Sequence, residues 1–161
     1  MRYAGFINWL STTRFGIVLA RGWSARADPW IYRLTGGRLT SVGPQVIPQL
    51  ILTTTGRRSG QPRTVQLGCL DEGESWLVVA SNFGRANHPA WSLNLDAQVR
   101  AEIQWGSRRV GVVAERLGDE DKALVWPHLV AVVPQFSVYV NRTERNLKVY
   151  RLRPVDGSSD R

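Results

Sequence analysis

The segment LILTTTGRRSGQPR at residues 50–63 predicts a strand, a tight turn and the start of a second strand. β-Branched and apolar residues fill 48–55, Gly56 and Gly60 mark the turn, and a further strand-like run follows at 64–70. The two runs therefore form one predicted hairpin, and the β part of the chain is organised from it.

This hairpin gathers Arg57, Arg58 and Arg63 around a single turn. Planar guanidinium groups suit the bidentate binding of phosphate and carboxylate. The backbone N–H groups of the turn can add neutral hydrogen bonds, as can nearby hydroxyls, those of Thr54, Thr55 and Ser59. The pattern predicts an anion site, with a solvated arginine turn as the alternative.

Further strand-like segments follow at short intervals, and the whole set lies at about 48–55, 63–71, 75–81, 98–105, 108–117 and 146–153. Compact turns at 71–73 and 105–107 predict antiparallel hairpins. The strands resemble a meander, and a small barrel is the economical way to close six of them. Two helical segments interrupt them, so the predicted class is α+β.

The first helical segment opens near Asn87, where Pro89 suits the first turn, and the second starts around Asp119. Pro127 and Pro134 predict kinks or breaks in the second segment. Its predicted apolar side comprises Leu124, Val125, Leu129, Val132 and Val133.

The 161 residues suit one domain, with its ends outside the barrel. Residues 1–34 are a predicted N-terminal helical segment, 35–155 the barrel domain that carries the predicted binding site, and 156–161 a disordered tail. The longest apolar or glycine run of the N-terminal segment, residues 15–20, is too short to span a bilayer. Its apolar face is expected to pack on the domain, with an anionic membrane surface as the alternative.

A net charge of +8, almost all of it from arginine, favours anionic partners. The arginines are scattered and no nucleic-acid-binding motif is found, so nucleic acid is the weaker candidate beside a phosphorylated or polycarboxylate small molecule. Cys69, the single cysteine, is expected to be a small buried hydrophobe. With no secretory signal, the predicted location is the cytoplasm, with the inner face of the cell membrane as a peripheral alternative.

The sequence contains no GxSxG, HExxH or Walker motif and no clustered Cys/His metal ligands. A second loop at 81–91, SNFGRANHPAW, runs from a strand to a helix and offers the Ser81 hydroxyl and the rings of Phe83 and Trp91 to a flat ligand. His88 in this loop either faces a ligand or lies at the helix cap or in solvent. With the arginine turn, the loop predicts a redox cofactor with a charged tail and a planar head.

Three blocks, LILTTTGRRSGQPRTVQL, LVVASNFGRANHPAWSLNL and WPHLVAVVPQFSVY, together resemble the deazaflavin-dependent nitroreductase family, split-β-barrel oxidoreductases of FMN-binding-like fold that use coenzyme F420. The resemblance covers residues from about 25 to 155. It implies an enzyme that passes a hydride from reduced F420 to a small hydrophobic acceptor, which is a quinone, an enone or a nitro compound. It also implies a monomer or a homodimer.

By match of motif, the resemblance implies a cofactor-binding set of Thr55, Arg57, Arg58, Ser59, Arg63, Val79, Ala80, Ser81, Asn82, Ala90, Trp91, Ser92 and Asn94. Ser81 and Tyr139 are the implied catalytic groups. The implied substrate side comprises Gly68, Val133, Phe136 and Tyr139. The well-known nitroreducing members carry aromatic residues at the positions of Gly68 and Val133, and a lysine at that of Asn82, so a wider acceptor pocket is expected.

Other interpretations remain open at this point. Related barrels hold FMN, haem or biliverdin, and the arginine turn also suits the phosphate of FMN. A carrier of F420, FMN or a lipid would bind without catalysis, and a basic nucleic-acid binder would lose affinity steeply with salt.

Overall fold

The computed structural model describes residues 47–155 without a gap and, before them, residues 30–31, 34, 39–40 and 43–44. The predicted N-terminal helical segment falls almost wholly outside the described residues, and the predicted tail at 156–161 lies entirely outside them. The first described sheet is a small antiparallel pair, β1 (Leu39–Thr40) with β2 (Gly43–Pro44).

Six further strands form a closed antiparallel barrel in the order β3-β4-β5-β8-β7-β6. They are β3 (Gln49–Thr55), β4 (Pro62–Asp71), β5 (Trp76–Val79), β6 (Arg100–Trp105), β7 (Arg108–Arg116) and β8 (Val149–Pro154). The predicted α+β barrel and its hairpins β3–β4, β4–β5 and β6–β7 are confirmed. The predicted meander order is wrong, because β8 inserts between β5 and β7 and β6 pairs with β3.

Helical segments make the long connections that a meander lacks. They are a 3₁₀ turn (Asn82–Gly84), α1 (Ala90–Ala97), α2 (Asp119–Val132) and α3 (Gln135–Val140). α1 carries the chain from β5 to β6, and α2 with α3 carries it from β7 back to β8. Within the described part of the chain, no helix is long and apolar enough to cross a membrane.

The second predicted helix starts at Asp119, as expected, and continues through Pro127. The predicted break occurs at Pro134, between α2 and α3. Leu124 was expected on the buried side but is 73% exposed, because the buried face of α2 is centred on Leu129.

Strand alternation divides the apolar residues between two cores. Inside the barrel lie side chains such as Leu50, Leu52 and Val78. On the outer face, Leu77 and Val79 pack with an apolar group from α2, α3 and β8, namely Leu129, Val133, Phe136 and Val149. Because neighbouring strand residues point to opposite faces, β5 contributes to both cores. The helices α2 and α3 are therefore bound to the barrel by apolar burial.

Cys69 is fully buried in the barrel core, which confirms its predicted role. Burial, with a smaller contribution from the charge of Asp71, raises the pKa of the thiol well above its ordinary value. The thiol therefore stays protonated and acts as a small apolar side chain.

A polar network at Asp96 fastens α1 to β8. Lys148 Nζ lies 2.5 Å from one carboxylate oxygen of Asp96, and the Tyr150 hydroxyl donates to the other at 2.7 Å. Burial opposes ionisation of Asp96, but the hydrogen bonds from Lys148 and Tyr150 outweigh it and leave the pKa of Asp96 below its ordinary value. The ionised carboxylate thus stabilises the contact between helix and barrel.

We expect Asp96→Asn to lower the free energy of unfolding by on the order of 1–3 kcal/mol at pH 7, because Lys148 loses its charged partner. A pKa lowered on folding gives stability that is complete above the unfolded pKa of about 4 and is lost as pH falls through the folded value. Denaturant unfolding should therefore show a gap between wild type and variant that closes below pH of about 4. Glu115→Gln, in an exposed pair with Arg153, is the control and should change stability little. An equal gap at all pH values would contradict the assignment.

Candidate functional site

The turn between β3 and β4 requires glycine at two positions. A Cβ on Gly56 would lie 2.7 Å from Ser59 Oγ and 3.0 Å from Gln61 O, and Gly60 has a φ of +66°. Gly60 N–H donates to Gly56 O at 2.7 Å, and Gly56 N–H donates to Gln61 O at 2.8 Å. The backbone thus closes tightly on itself, and the arginine side chains project outward.

Asn94 of α1 holds this turn in place from below. Its Oδ1 accepts from the backbone N–H of Arg57 at 3.1 Å, and its Nδ2 donates to Thr54 Oγ1 at 3.0 Å. Asn94 is only 3% exposed, so its amide forms hydrogen bonds with protein groups and has little contact with solvent. Asn94 therefore fixes the arginine turn against α1.

An open groove of about 540 Å³ lies over the turn and the start of α1. We call it the arginine groove, and its lining includes Arg57, Arg58, Ser59, Arg63, Asn82, His88, Ala90, Trp91 and Asn94. The five ion pairs between described residues involve none of its three arginines. The groove therefore presents positive charge that the described carboxylates do not neutralise, as an anion site requires.

The loop from Ser81 to Pro89 forms the opposite wall and holds an unusual backbone conformation. Asn82 and Phe83 have φ values of 46° and 58°, although neither is glycine. Gly84 has a φ of +74°, and a Cβ there would lie 2.7 Å from Arg142 Cβ. Successive left-handed residues cost free energy and persist where the surroundings hold them, commonly at functional sites.

Arg145 supplies that support. Its Nε donates to Arg85 O at 2.9 Å, its Nη1 to Ala80 O at 2.9 Å and its Nη2 to Ser81 O at 2.5 Å. Arg145 lies between α3 and β8, outside both the arginine turn and the 81–91 loop. No local signal in the sequence marks it, because its partners are some 60 residues away along the chain.

A second cavity, of about 380 Å³, lies between the outer face of β3–β4 and α3. We call it the apolar cavity, and its lining includes Ile47, Gly68, Val79, Ser81, Phe83, Val133, Phe136 and Tyr139. The rings of Phe83 and Tyr139 meet edge to face at 5.9 Å. Gln49 and Gln66 add a polar pair, with Gln66 Nε2 donating to Gln49 Oε1 at 2.5 Å.

The two cavities share four lining residues, Val65, Asn82, Pro89 and Trp91. Trp91 is 7% exposed and packs edge to face on the core residue Tyr150 at 5.7 Å. The boundary between the cavities is therefore anchored in the barrel core.

The structure brings most of the predicted site residues to these two cavities. Those in the arginine groove are Arg57, Arg58, Ser59, Arg63, Asn82, Ala90, Trp91 and Asn94. Those in the apolar cavity are Val79, Ser81, Asn82, Trp91, Gly68, Val133, Phe136 and Tyr139. His88, which the sequence left undecided, lines the groove, whereas Gln49, Val65 and Gln66 were missed because strand pattern alone gives no sign of a ligand.

Three predicted cofactor residues, Thr55, Ala80 and Ser92, line neither cavity. Ala80 and Ser92 are fully buried, and Ser92 Oγ donates to Pro89 O at 3.0 Å, so both side chains serve packing. Thr55 is exposed at the end of β3, on the strand face opposite to that of the buried Thr54. These positions adjoin the site in sequence but face away from it.

A closed antiparallel barrel whose end carries a basic groove, joined to an apolar cavity, defines a split-barrel cofactor-binding protein. Residues 23–154 match the family model described as F420H(2)-dependent quinone reductase, and the chain belongs to that family. Membership confirms the predicted kinship, the cofactor F420 and the enzyme class, an F420H2-dependent oxidoreductase.

The chain is similar to the F420H(2)-dependent quinone reductase Rv1261c of Mycobacterium tuberculosis, with 37% identity over 122 residues that cover 74% of this chain and 82% of the relative. A solved F420-H2 dependent reductase, FDR-A, aligns with a TM-score of 0.61 and 30% identity over 69% of this chain and all of that one. A structure described as a domain-swapped dimer aligns with a TM-score of 0.63 and 27% identity, over 83% of this chain and 98% of its own.

We expect Asn94→Ala to loosen the arginine turn, because Thr54 Oγ1 loses its buried donor and the N–H of Arg57 loses its acceptor. The free energy of unfolding should fall by on the order of 1–3 kcal/mol. Hydrogen exchange should accelerate most at residues 56–60, and Asn87→Ala in an exposed part of the neighbouring loop should leave that segment unchanged. Unaltered exchange at 56–60 in Asn94→Ala would contradict the anchoring role.

Proposed function

We propose that this protein transfers a hydride from reduced F420 to a quinone. The observation that carries the proposal is the sharing of Asn82, Pro89 and Trp91 by the arginine groove and the apolar cavity. An anionic ligand in the groove and an apolar ligand in the cavity would meet at these residues. The quinone is also the acceptor named for the family and for the mycobacterial relative.

The residues present suit F420, whose tail carries a phosphate and carboxylates and whose head is a planar deazaflavin. Arg57, Arg58 and Arg63 have no carboxylate partner among the described residues and would hold the tail by charge-assisted hydrogen bonds. The hydroxyl of Ser59 adds a neutral donor. Volumes of about 540 and 380 Å³ both lie in the usual range for small-molecule sites.

At the inner end of the groove, Asn82, Ala90 and Trp91 would contact the head of the cofactor. Asn82 is itself held, since its Nδ2 donates to Asn87 O at 2.8 Å. Its amide therefore offers a fixed position, which lowers the cost of ordering the site when a ligand binds. Trp91 contributes an apolar surface that a flat ring can cover.

Reduced F420 supplies the hydride when it is bound. The chain would orient the acceptor and keep water away from it, through apolar side chains such as Val79, Val133 and Phe136. Reduction of a quinone to a hydroquinone takes up one hydride, from the reduced cofactor, and one proton, from solvent. Ser81 and Tyr139 are hydroxyl-bearing side chains of the apolar cavity and would donate hydrogen bonds to the quinone oxygen on which negative charge develops before it is protonated.

The experiment that tests this function is a fluorescence titration of the protein with F420 and, in parallel, with FMN. Menadione is then added to the complex with reduced F420. Selective F420 binding followed by acceptor-dependent oxidation supports the proposal. Binding of reduced F420 without its oxidation by menadione would favour a carrier protein. Tighter binding of FMN than of F420 would show that the cofactor is FMN.

We expect Arg58→Ala to weaken F420 binding by on the order of 1–3 kcal/mol, roughly 5- to 150-fold in Kd, through loss of a charge-assisted contact. Arg108→Ala removes an equal charge from the exposed hairpin end of β7 and is the matched control for net charge. Equal effects of the two substitutions on the Kd for F420 would indicate a diffuse electrostatic contribution. They would show that Arg58 makes no direct contact with the cofactor.

We expect Gly68→Phe to obstruct the apolar cavity while leaving the arginine groove intact. A Cβ at Gly68 points between Val133 Cγ2 at 3.6 Å and Ile47 Cγ2 at 3.7 Å, so a ring attached there enters the cavity. The KM for menadione should rise on the order of tenfold or more, with the Kd for F420 unchanged. Gly68→Ala, whose methyl group fits at ordinary contact distance, should behave nearly as wild type. If Gly68→Phe leaves the KM for menadione unchanged, the acceptor does not bind in the apolar cavity.

The location stays a proposal, namely the cytoplasm with a peripheral contact at the inner face of the cell membrane through residues 1–34. The support is the apolar and arginine-rich composition of that segment. Co-sedimentation of the full chain with anionic vesicles, compared with neutral ones, measures it. Recovery in the supernatant with both would contradict the contact.

A further inference from the structure

His88 lines the arginine groove, and one of its two ring nitrogens already has a partner. Its Nδ1 lies 3.1 Å from Nη1 of Arg145. A guanidinium group can only donate hydrogen bonds, so Nδ1 must be the acceptor of this contact. An imidazole that accepts at Nδ1 carries its proton at Nε2.

Arg145 is well placed to enforce this tautomer, because its own orientation is fixed. Three backbone carbonyls of the 80–85 stretch accept from its Nε, Nη1 and Nη2, at distances between 2.5 and 2.9 Å. The same Nη1 that donates to Ala80 O also contacts Nδ1 of His88, so both of its N–H groups have a partner. Among the described residues, no carboxylate forms an ion pair with Arg145 that would draw it away.

The surroundings also keep the imidazole neutral. Burial, then the positive charges of Lys148 and Arg145, lower the pKa of His88, and Arg116 acts in the same direction. The carboxylate of Asp96 acts against them, but it is held by Lys148 and Tyr150. Protonation of His88 at Nδ1 would bring its N–H against the N–H of Arg145 Nη1, and two donors cannot form a hydrogen bond with each other.

We propose that His88 is a cofactor-binding residue whose Nε2–H donates a hydrogen bond to an acceptor oxygen of the ligand in the arginine groove, and that Arg145 is the positioning residue that fixes this tautomer. The inference rests on the proposed function in taking that ligand to be F420. Within the described part of the chain, no group accepts a hydrogen bond from Nε2. The position next to Pro89, at the boundary shared with the apolar cavity, places this donor beside the inner end of the groove.

The tautomer can be measured without any ligand, by long-range ¹H–¹⁵N correlation of the imidazole rings. The chain has two histidines, so His128→Gln, on the exposed face of α2, assigns the spectrum. At pH 7.5 we expect His88 to show a protonated Nε2 and a bare Nδ1. A protonated Nδ1, or averaging between the two tautomers, would overturn the role of Arg145.

Titration with F420 then tests the donor itself. The amide nitrogen of glutamine can reach the position of Nε2, whereas that of asparagine lies near Nδ1. His88→Asn should raise the Kd for F420 roughly three- to tenfold, His88→Gln should retain more of the affinity, and His128→Gln should match wild type. If His88→Asn binds F420 with the Kd of wild type, the role of His88 is wrong and the proposed function stands. A wild-type protein that binds no F420 would overturn the proposed function together with it.

A double-mutant cycle distinguishes a positioning residue from a merely structural one. Arg145→Lys keeps a cation for the backbone carbonyls, so the variant is expected to fold, but it cannot keep four contacts at once. It should raise the Kd for F420 and allow the His88 tautomers to average in the same spectrum. Combined with His88→Asn it should add little further loss, because both changes remove the same hydrogen bond. Fully additive losses would show that Arg145 acts independently of His88.

Discussion

Closure of the barrel between β3 and β6 determines where the site lies. In that ladder Thr54 pairs with Ala101, so the end of β3 adjoins the start of β6. α1 ends only a few residues before β6 begins and must therefore pack beside the arginine turn. The amide of Asn94 can reach Arg57 and Thr54 because of this closure. A turn that is local in sequence becomes one wall of a groove through a pairing that is distant in sequence.

The distribution of charge follows the same architecture. Described carboxylates such as Asp96, Glu72 and Glu115 form ion pairs on the flanks of the barrel, with Lys148, Arg151 and Arg153. The arginines of the turn are left without such partners among the described residues. The arginine turn therefore presents positive charge that no described carboxylate neutralises by an ion pair.

Features that depend on local chemistry were predictable from the sequence. Gly56 and Gly60 mark the turn, alternation marks the strands, and Pro134 marks the break between α2 and α3. Features that depend on distant contacts were not predictable in this way. The position of β8 between β5 and β7 is such a case. The predicted meander order was wrong here because the pattern of residues within a strand does not show which strand it pairs with.

The candidate site shows the same division. The arginine turn and the 81–91 loop were found because each is a contiguous segment with its own signal. Arg145 was not, because it lies outside both segments and contacts the second of them from about 60 residues away along the chain. Thr55, Ala80 and Ser92 were predicted by match to the family's motif, and they line neither cavity, because Thr55 points outward from β3 and the other two are fully buried. The position and tautomer of His88 could not be predicted from the sequence, since they depend on the contact between one ring nitrogen and Arg145.

The two cavities are built from different parts of the chain, and this separates their chemistry. The arginine groove depends on the β3–β4 turn and α1, whereas the apolar cavity depends on α3, on Val133 before it and on the outer face of β3–β4. Substitutions at Gly68 or Val133 therefore reshape the apolar cavity without touching the contacts of Asn94. The 81–89 loop contributes two of the four residues that line both cavities, Asn82 and Pro89, beside Val65 of β4 and Trp91 of α1. A change that alters the backbone of this loop, or the guanidinium group of Arg145 that holds it, is therefore expected to affect both cavities together.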